Sequence, residues 1–412
     1  MRALLKVLIA AAVVLVAASP AAAKRPFEQR AKRSVIFVGN NWEGTADVIH
    51  PRGKFRRIAR LDIIPDIEER MAEIMLDPVR LGYFLAIREL IGEGNDQFVD
   101  DMYSTNDGRL LIVSRPSLAD VVAIDIASGE IVWRFVVDGQ RSDHMAISPD
   151  GKHVAVSAST GNVVHILDTA SGEEVGRFES GDSPHENNYS ADGKLIYHAS
   201  IGLVYTPADQ PVVDTSKGDR WFQIVDANTY EVLERIDMGE KLAEAGYPDM
   251  SSAVRPMALS PNERFLYFQV SFFHGFAEYD FKTDRVTRVA RLPVAEKIKD
   301  LPREQYLLDS AHHGIAMSGD GKRLCVAGTM SDYAAIVSRR NFNFTLIEKG
   351  EKPYWSTTSA NGRRCLVSWS GTDSISVISY RKRKEVAHIP VGDHPQRIRM
   401  GFVRTSWIKS LR

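Results

Sequence analysis

The sequence predicts an all-β fold, a seven-bladed β-propeller of four-stranded antiparallel blades, because one short motif recurs at blade spacing. The motif ends in a tight turn of the Ser-Pro-Asp-Gly type, and the serine is the first residue of this turn. Its copies are aligned on Ser104, Ser148, Ser190, Ser260, Ser318 and Ser359, and Gly401 takes the place of the serine in the last copy. Intervals of 44, 42, 41 and 42 residues set the period, and those of 70 and 58 residues indicate blades with extra sequence.

Each repeat also contains strand patterns in the expected number. Residues 110–113, 121–124 and 131–135 are short apolar or alternating runs, and an Ala-Ser-Gly-Glu turn at 127–130 separates the last two. The next repeat has the same runs at 153–156, 163–167 and 175–178. Together with the strand before each aligned serine, these runs give four strands per repeat.

The two ends of the chain are predicted to share the first blade. Residues 35–38, 46–49 and 55–61 make three strand-like runs without a fourth. The C-terminal run at 397–403 is the strand that would complete this blade and close the ring. The propeller therefore spans residues 34–404, followed by a C-terminal tail at 405–412.

Extra sequence interrupts the repeats at four places. At 65–97, apolar residues recur at helical spacing on either side of Pro78, which predicts a helical insertion after the first blade. Loop insertions are predicted at 201–219, 241–252 and 294–310. In a four-stranded blade, links before the first strand and between the second and third strands open on one face. All four insertions should share that face, where loops carry binding residues.

The N-terminus has the pattern of a secretory signal peptide at 1–23. Arg2 and Lys6 precede an apolar run at 7–16, and Ala21-Ala22-Ala23 offers a cleavage site before Lys24. We therefore expect a periplasmic or secreted protein with a flexible mature N-terminus at 24–33. An uncleaved anchor is the alternative, and no other apolar run is long enough to cross a bilayer.

Charge limits the kinds of partner. Loss of Arg2 and Lys6 leaves 50 basic and 53 acidic residues, a net charge of −3. This balance does not supply the basic surface that nucleic-acid binding requires. We expect a monomer that binds a small molecule or a protein on the insertion face.

The two cysteines occupy nearly the same place in neighbouring repeats. Cys325 follows Asp320 by five residues, and Cys365 follows Asn361 by four. Side chains alternate along a strand, so the two sulfurs would face each other across adjacent blades. In an oxidising compartment this arrangement favours a disulfide, with two separate buried thiols as the alternative.

The first strands of a propeller line its central channel, so the residue before each one should lie at the channel mouth. At the first of two equivalent positions, successive copies of the repeat have Asp143, His185, Arg255, His313, Tyr354 and Gln396. The next position holds His144, Glu186, Pro256, Gly314, Trp355 and Arg397. These two rings are unusually polar and form the candidate site.

Two interpretations of this site remain open. His144, His185 and His313, with Glu186 or Asp143, would supply nitrogen and oxygen ligands to a divalent transition metal. The alternative for the histidines is a hydrogen-bonded network in a wet channel.

In the second interpretation, Arg255 and Arg397 hold a carboxylate or phosphate ligand, and Tyr354 and Trp355 form an aromatic wall. Three aromatic residues on the insertions would add a cover in this interpretation, unless they only pack their loops. They are Tyr205, Trp221 and Tyr247.

The repeat resembles the YVTN-type β-propeller family, with Ala146-Ile147-Ser148-Pro149-Asp150-Gly151-Lys152 as a close match. The resemblance extends over about residues 99–404 and implies the propeller fold. Members of this group include binding proteins, lactonase-like enzymes and relatives of haem- or quinone-dependent propellers, so it does not select a chemistry.

We predict an exported binding or scaffold protein. The alternative is a metal-dependent hydrolase or lyase in which His144, beside Asp143 or Glu186, is the general base. No nucleophile motif of the Gly-x-Ser-x-Gly type and no haem-attachment motif occurs in the sequence.

Overall fold

The structure of the protein is a computed structural model that describes residues 31–203, 216–306, 308 and 310–411. The predicted signal peptide at 1–23 lies outside the described residues. So do most of the predicted flexible N-terminus, Tyr205 with the greater part of the 201–219 insertion, and residues 307, 309 and 412.

Seven four-stranded antiparallel sheets form a ring, so the predicted seven-bladed propeller is confirmed. Blade 1 takes three strands from the N-terminus, β1 (Lys32–Asn40), β2 (Thr45–Ile49) and β3 (Arg57–Asp62). Blade 2 consists of β4 (Met102–Ser104), β5 (Leu110–Arg115), β6 (Asp120–Asp125) and β7 (Ile131–Val136). Blade 3 consists of β8 (Ser142–Ile147), β9 (His153–Ala158), β10 (Val163–Asp168) and β11 (Glu174–Glu179).

The second half of the chain repeats this order. Blade 4 consists of β12 (Pro184–Tyr189), β13 (Leu195–Ser200), β14 (Phe222–Asp226) and β15 (Val232–Ile236). Blade 5 consists of β16 (Val254–Leu259), β17 (Phe265–Val270), β18 (Gly275–Asp280) and β19 (Arg285–Arg291). Blade 6 consists of β20 (Ile315–Met317), β21 (Arg323–Gly328), β22 (Tyr333–Ser338) and β23 (Phe344–Ile347). Blade 7 consists of β24 (Pro353–Thr358), β25 (Arg364–Trp369), β26 (Ser374–Ser379) and β27 (Lys384–Pro390).

The last strand, β28 (Pro395–Arg404), completes blade 1 and closes the ring as predicted. It pairs antiparallel with β1 from Lys32 opposite Arg404 to Asn40 opposite Pro395. Ile398 and Val403 of this strand are fully buried between blades. The ring is therefore held together by pairing between the two ends of the chain.

The repeated turn explains the regular period. In the copy at Ser148, the serine hydroxyl donates to the Asp150 carboxylate at 2.6 Å, and this carboxylate accepts the Lys152 amide at 3.1 Å. Gly151 has φ of +74°, a left-handed conformation that favours glycine. The turn thus fixes where β8 ends and β9 begins.

The described part of the chain contains four α-helices. They are α1 (Ile67–Leu76), α2 (Pro78–Leu90), α3 (Met238–Glu244) and α4 (Thr405–Ser410). The pair α1 and α2 is the predicted helical insertion between blades 1 and 2, and Asp77 caps α2 by accepting the amides of Val79 and Arg80. Arg80 donates to the carbonyls of Ser117 and Gln140, which fixes α2 over blades 2 and 3. Among the described residues, every helix is too short or too polar to span a membrane.

The predicted disulfide is present. Cys325 in β21 and Cys365 in β25 are bonded, and they join blades 6 and 7. Both are fully buried, in a cluster with Ile336 and Trp369. The bond joins the second strands of two neighbouring blades.

Replacing both cysteines by alanine is expected to lower the free energy of unfolding by about 4 kcal/mol, because the bond closes a loop with a sequence separation of 40 residues. Urea denaturation of the wild type and the C325A/C365A variant measures the difference. Wild type kept under strong reductant is the control, and it should approach the variant. A difference below about 1 kcal/mol would contradict this expectation.

Candidate functional site

Three histidines from three blades meet at the channel mouth. His144 lies in β8, His185 lies in β12, and His313 immediately precedes β20. One ring nitrogen from each lies within 4.8 Å of the others, and all three side chains are buried. The histidines that the sequence assigned to the two rings are therefore neighbours in space.

A β-bulge at the start of the first strands brings these residues into the channel. In β8, the residues between Ser142 and Met145 oppose a single residue of β9, and β12 has an extra residue at His185. Similar register shifts occur in β16, β24 and at the β1–β28 pair. In a regular strand, adjacent side chains point to opposite faces, whereas a bulge re-aims them. Both members of an adjacent pair such as Asp143 and His144 can therefore line the same cavity.

Glu186 contacts the His144 ring on the side opposite Nε2. Its Oε2 lies 2.7 Å from Nδ1 of His144, so Nε2 of that ring faces the other side chains of the site. Nε2 lies 3.6 Å from Asp143 and 4.0 Å from Asp100. The sequence suggested Glu186 as a possible metal ligand, and in the structure its carboxyl group contacts Nδ1 of His144 and orients that ring. A carboxylate that fixes the ring of a metal-binding histidine is a common arrangement.

Burial keeps the three imidazoles neutral. It lowers the pKa of His144, His185 and His313 well below the usual value, and the charge of Arg397 acts in the same direction on each. The Nδ1 atoms of His185 and His313 are buried and have no hydrogen-bond partner among the described residues. A neutral imidazole keeps one ring nitrogen with a free lone pair, and this is the form that binds metals.

The arginines of the site each contact specific partners. Arg255 donates to the Ser271 hydroxyl at 2.9 Å and to the Leu308 carbonyl at 2.6 Å. Arg397 is fully buried, and its guanidinium lies 3.9 Å from the centre of the Trp355 ring. Its Nη2 contacts Nε2 of His144 and lies 3.7 Å from the Asp100 carboxylate.

Two further predicted residues line the histidine cluster. The ring of Tyr354 lies 4.3 Å from that of His313, so it forms a wall of the site. Asp143 accepts from Arg141 at 2.5 Å and from the Ser159 hydroxyl at 2.7 Å. Pro256 and Gly314 contribute no polar side-chain group, and Gln396 lines the cavity.

Asp100, which precedes β4 in blade 2, belongs to this site but was not predicted from the sequence. Its Oδ2 is buried without a hydrogen-bond partner among the described residues, and burial raises its pKa to about 7. The signal was present, because Asp100 precedes Ser104 by four residues, as His144 precedes Ser148. The neighbouring Asp101 accepts hydrogen bonds from both Nε and Nη2 of Arg399. These bonds connect the chain around Asp100 to β28.

The cavity between these side chains is small. Its volume is about 20 Å³, and Ile91 and Ile201 line it together with the polar residues. That is room for one or two water-sized groups, whereas pockets for drug-sized ligands measure hundreds of cubic ångströms. Trp221 and Tyr247, predicted as a cover, are not among its lining residues. The cavity is therefore too small for a drug-sized ligand.

Buried histidines outside the cluster make stability depend on pH. Burial lowers the pKa of His198 and of His394 to about 3. The unfolded chain titrates these groups near pH 6.5, so it binds more protons below that value. The stabilisation that these two histidines provide should be complete above about pH 6.5 and fall as pH drops, by up to about 1.4 kcal/mol per pH unit for each histidine.

Urea denaturation at pH 7.5, 6.0 and 5.0 tests this prediction. The midpoint should fall with pH, and His198→Asn, which removes one titrating group, should make the fall less steep. Burial also raises the pKa of Glu186 to about 8, so this carboxyl stabilises the fold more as pH falls from 7.5 to 5.0 and partly offsets the effect of the histidines. An equally steep dependence of the midpoint on pH in the wild type and in His198→Asn would refute the assignment of His198 as a neutral buried histidine.

Comparison with known proteins supports the fold. No protein-family model matches the chain, and no curated protein matches it. Among solved structures, hydrazine synthase from Kuenenia stuttgartiensis is similar, with 14% sequence identity and a TM-score of 0.56. The match covers 75% of this chain and 96% of that one. At this identity the likeness shows the fold alone.

Proposed function

We propose that this is an exported binding protein whose channel-mouth site binds a divalent transition-metal ion through His144, His185 and His313. The observation that carries the proposal is the meeting of three buried, neutral imidazoles from three blades within 4.8 Å. Three histidines with a carboxylate are a donor set suited to zinc and similar ions. Asp100 and Asp143 lie close enough to His144 to add an oxygen ligand.

A histidine network without metal accounts less well for the same atoms. Such a network satisfies its ring nitrogens with protein partners, because unpaired buried polar atoms are costly. Here Glu186 satisfies Nδ1 of His144, whereas Nδ1 of His185 and of His313 find no partner among the described residues. Nδ1 of His274 and of His312 also lack a partner among the described residues, so the preference for metal depends on the convergence of three ring nitrogens within 4.8 Å.

Arg397 has to move when a metal binds. Its Nη2 contacts the His144 nitrogen that faces the site, and a cation cannot share that lone pair with a guanidinium. The Asp100 carboxylate, 3.7 Å away, offers the displaced group an acceptor. The ion therefore competes with a side chain that is already part of the site.

Metal content tests the proposal. Chelator-treated protein is dialysed against Zn²⁺ or Co²⁺, and one ion per chain is expected. His313→Ala should lower the affinity by more than the roughly 10- to 100-fold typical of losing an outer-shell partner. His312→Ala is the matched control, because His312 is adjacent and buried but binds the Tyr333 hydroxyl at 3.0 Å. Absence of metal from the wild type, or equal losses in both variants, would reject the site.

A metal-dependent hydrolase or lyase is the second candidate function, and Asp100 is the observation in its favour. Its carboxyl lies 4.0 Å from Nε2 of His144, and its pKa of about 7 suits a general base. Assays of metal-loaded protein on a panel of lactones and activated esters test this candidate. Metal-dependent turnover that Asp100→Asn abolishes would support it, whereas equal rates in both proteins would exclude it.

Export is proposed from the N-terminal pattern, and the buried disulfide is compatible with it. Expression of the full chain in a bacterium should give a periplasmic protein whose mass corresponds to a first residue of Lys24. A cytoplasmic product that retains residues 1–23 would contradict this part of the proposal.

A further inference from the structure

We infer that the ligand of this site is a small carboxylic acid, bound through its carboxylate between the metal ion and Arg397. The inference rests on the proposed metal site. It adds the class of ligand, which neither the fold nor the histidine cluster defines.

Arg397 supplies a buried positive charge that a carboxylate could bind. It comes from β28, is fully buried, and packs its guanidinium face 3.9 Å from the Trp355 ring. Stacking leaves the N–H groups pointing outward in the plane of the guanidinium. Two of its nitrogens, Nε and Nη1, are buried and have no hydrogen-bond partner among the described residues. A buried cation with free donors is the usual sign of an anion site.

A bound metal ion would increase the need for an anion beside Arg397. When an ion takes the lone pair of His144, Arg397 loses the acceptor that its Nη2 contacts. Asp100 is then its nearest protein carboxylate among the described residues, at 3.7 Å from Nη2. A ligand carboxylate has two oxygens, so one can bind the ion while the other accepts from the guanidinium. Arginine and carboxylate match in shape and charge.

Cavity size favours a carboxylate over other oxyanions. The cavity volume is only about 20 Å³, and a carboxylate head has three heavy atoms where a tetrahedral phosphate has five. Ile91 and Ile201 supply apolar walls to the same cavity. Arg397 is not among the residues that line this cavity, so its guanidinium would reach a bound carboxylate only after it leaves His144.

The test uses the Co²⁺-loaded protein, whose visible spectrum reports the groups bound to the metal. Acetate should change this spectrum with saturation, whereas acetamide, its neutral isostere, should not. Phosphate should bind more weakly than acetate. Arg397→Met removes the group that competes with the ion for His144, so at full Co²⁺ occupancy it should weaken acetate at least tenfold, and Arg397→Lys should weaken it less. Arg363→Met is the control for the same change at an exposed position.

The outcomes separate the two proposals. Absence of a Co²⁺ spectrum in the wild type overturns the metal site itself. A Co²⁺ spectrum that acetate does not alter overturns the ligand inference and leaves the metal site standing. Phosphate binding as tightly as acetate overturns the carboxylate assignment. The wild-type titrations decide these points even if Arg397→Met fails to fold.

Discussion

A chain that ends at Asp393 is expected to lack a folded propeller. This truncation removes β28, which is the innermost strand of blade 1 and, among the described residues, the strand that pairs the two ends of the chain. It exposes the edge of β1 and removes the buried side chains of Ile398 and Val403. Because every blade packs on two neighbours, an open ring leaves apolar faces in water on both sides of the gap.

Circular dichroism and thermal denaturation of the truncated protein measure this effect. The expected result is loss of the cooperative transition of the wild type. A chain ending at Lys409 is the control, since it keeps β28 and the buried Trp407. A cooperative transition at the wild-type temperature in the shorter chain would show that the strand pairing does not hold the ring closed.

His144→Ala is expected to cause the largest loss of metal affinity among single substitutions in the site. It removes a ligand, and it also leaves Oε2 of Glu186 without its partner. Glu186→Gln should reduce the affinity by roughly 10- to 100-fold, the range for outer-shell partners of metal ligands. The loss is smaller because the amide side chain of the Glu186→Gln variant can still contact the His144 ring, although it holds the ring less firmly.

Competition with a chromophoric chelator measures both affinities, and the Co²⁺ spectrum separates the two roles. Glu186→Gln should keep the wild-type spectrum at full occupancy, because the set of ligands is unchanged. His198→Asn serves as the control for a buried histidine outside the cluster. A changed spectrum in the Glu186 variant, with a loss equal to that of His144→Ala, would make Glu186 a ligand, as the sequence first indicated.

The features that follow from repetition could be predicted from the sequence. Blade number, ring closure and the Cys325–Cys365 bond depend on comparing equivalent positions, and the aligned serines supply them. The same comparison placed His144, His185 and His313 at one end of the channel. A repeat shows equivalent positions directly, without knowledge of how the blades pack.

Local backbone geometry could not be predicted in the same way. Regular alternation would point one member of each adjacent pair away from the channel, and the bulges that prevent this leave no clear mark in the sequence. For that reason the contact between Glu186 and Nδ1 of His144 could not be predicted from the sequence. Asp100 was missed for a simpler reason, since the copy at Ser104 has no histidine to draw attention to it.

The metal site is the central claim, and an anomalous difference map of Zn²⁺-soaked crystals tests it most directly. We expect one peak at the zinc absorption edge, at about 2.0–2.1 Å from a ring nitrogen of each of His144, His185 and His313. Arg397 should have moved away from His144 in that structure. A map with no peak at the channel mouth, and Arg397 still in contact with His144, would contradict the claim.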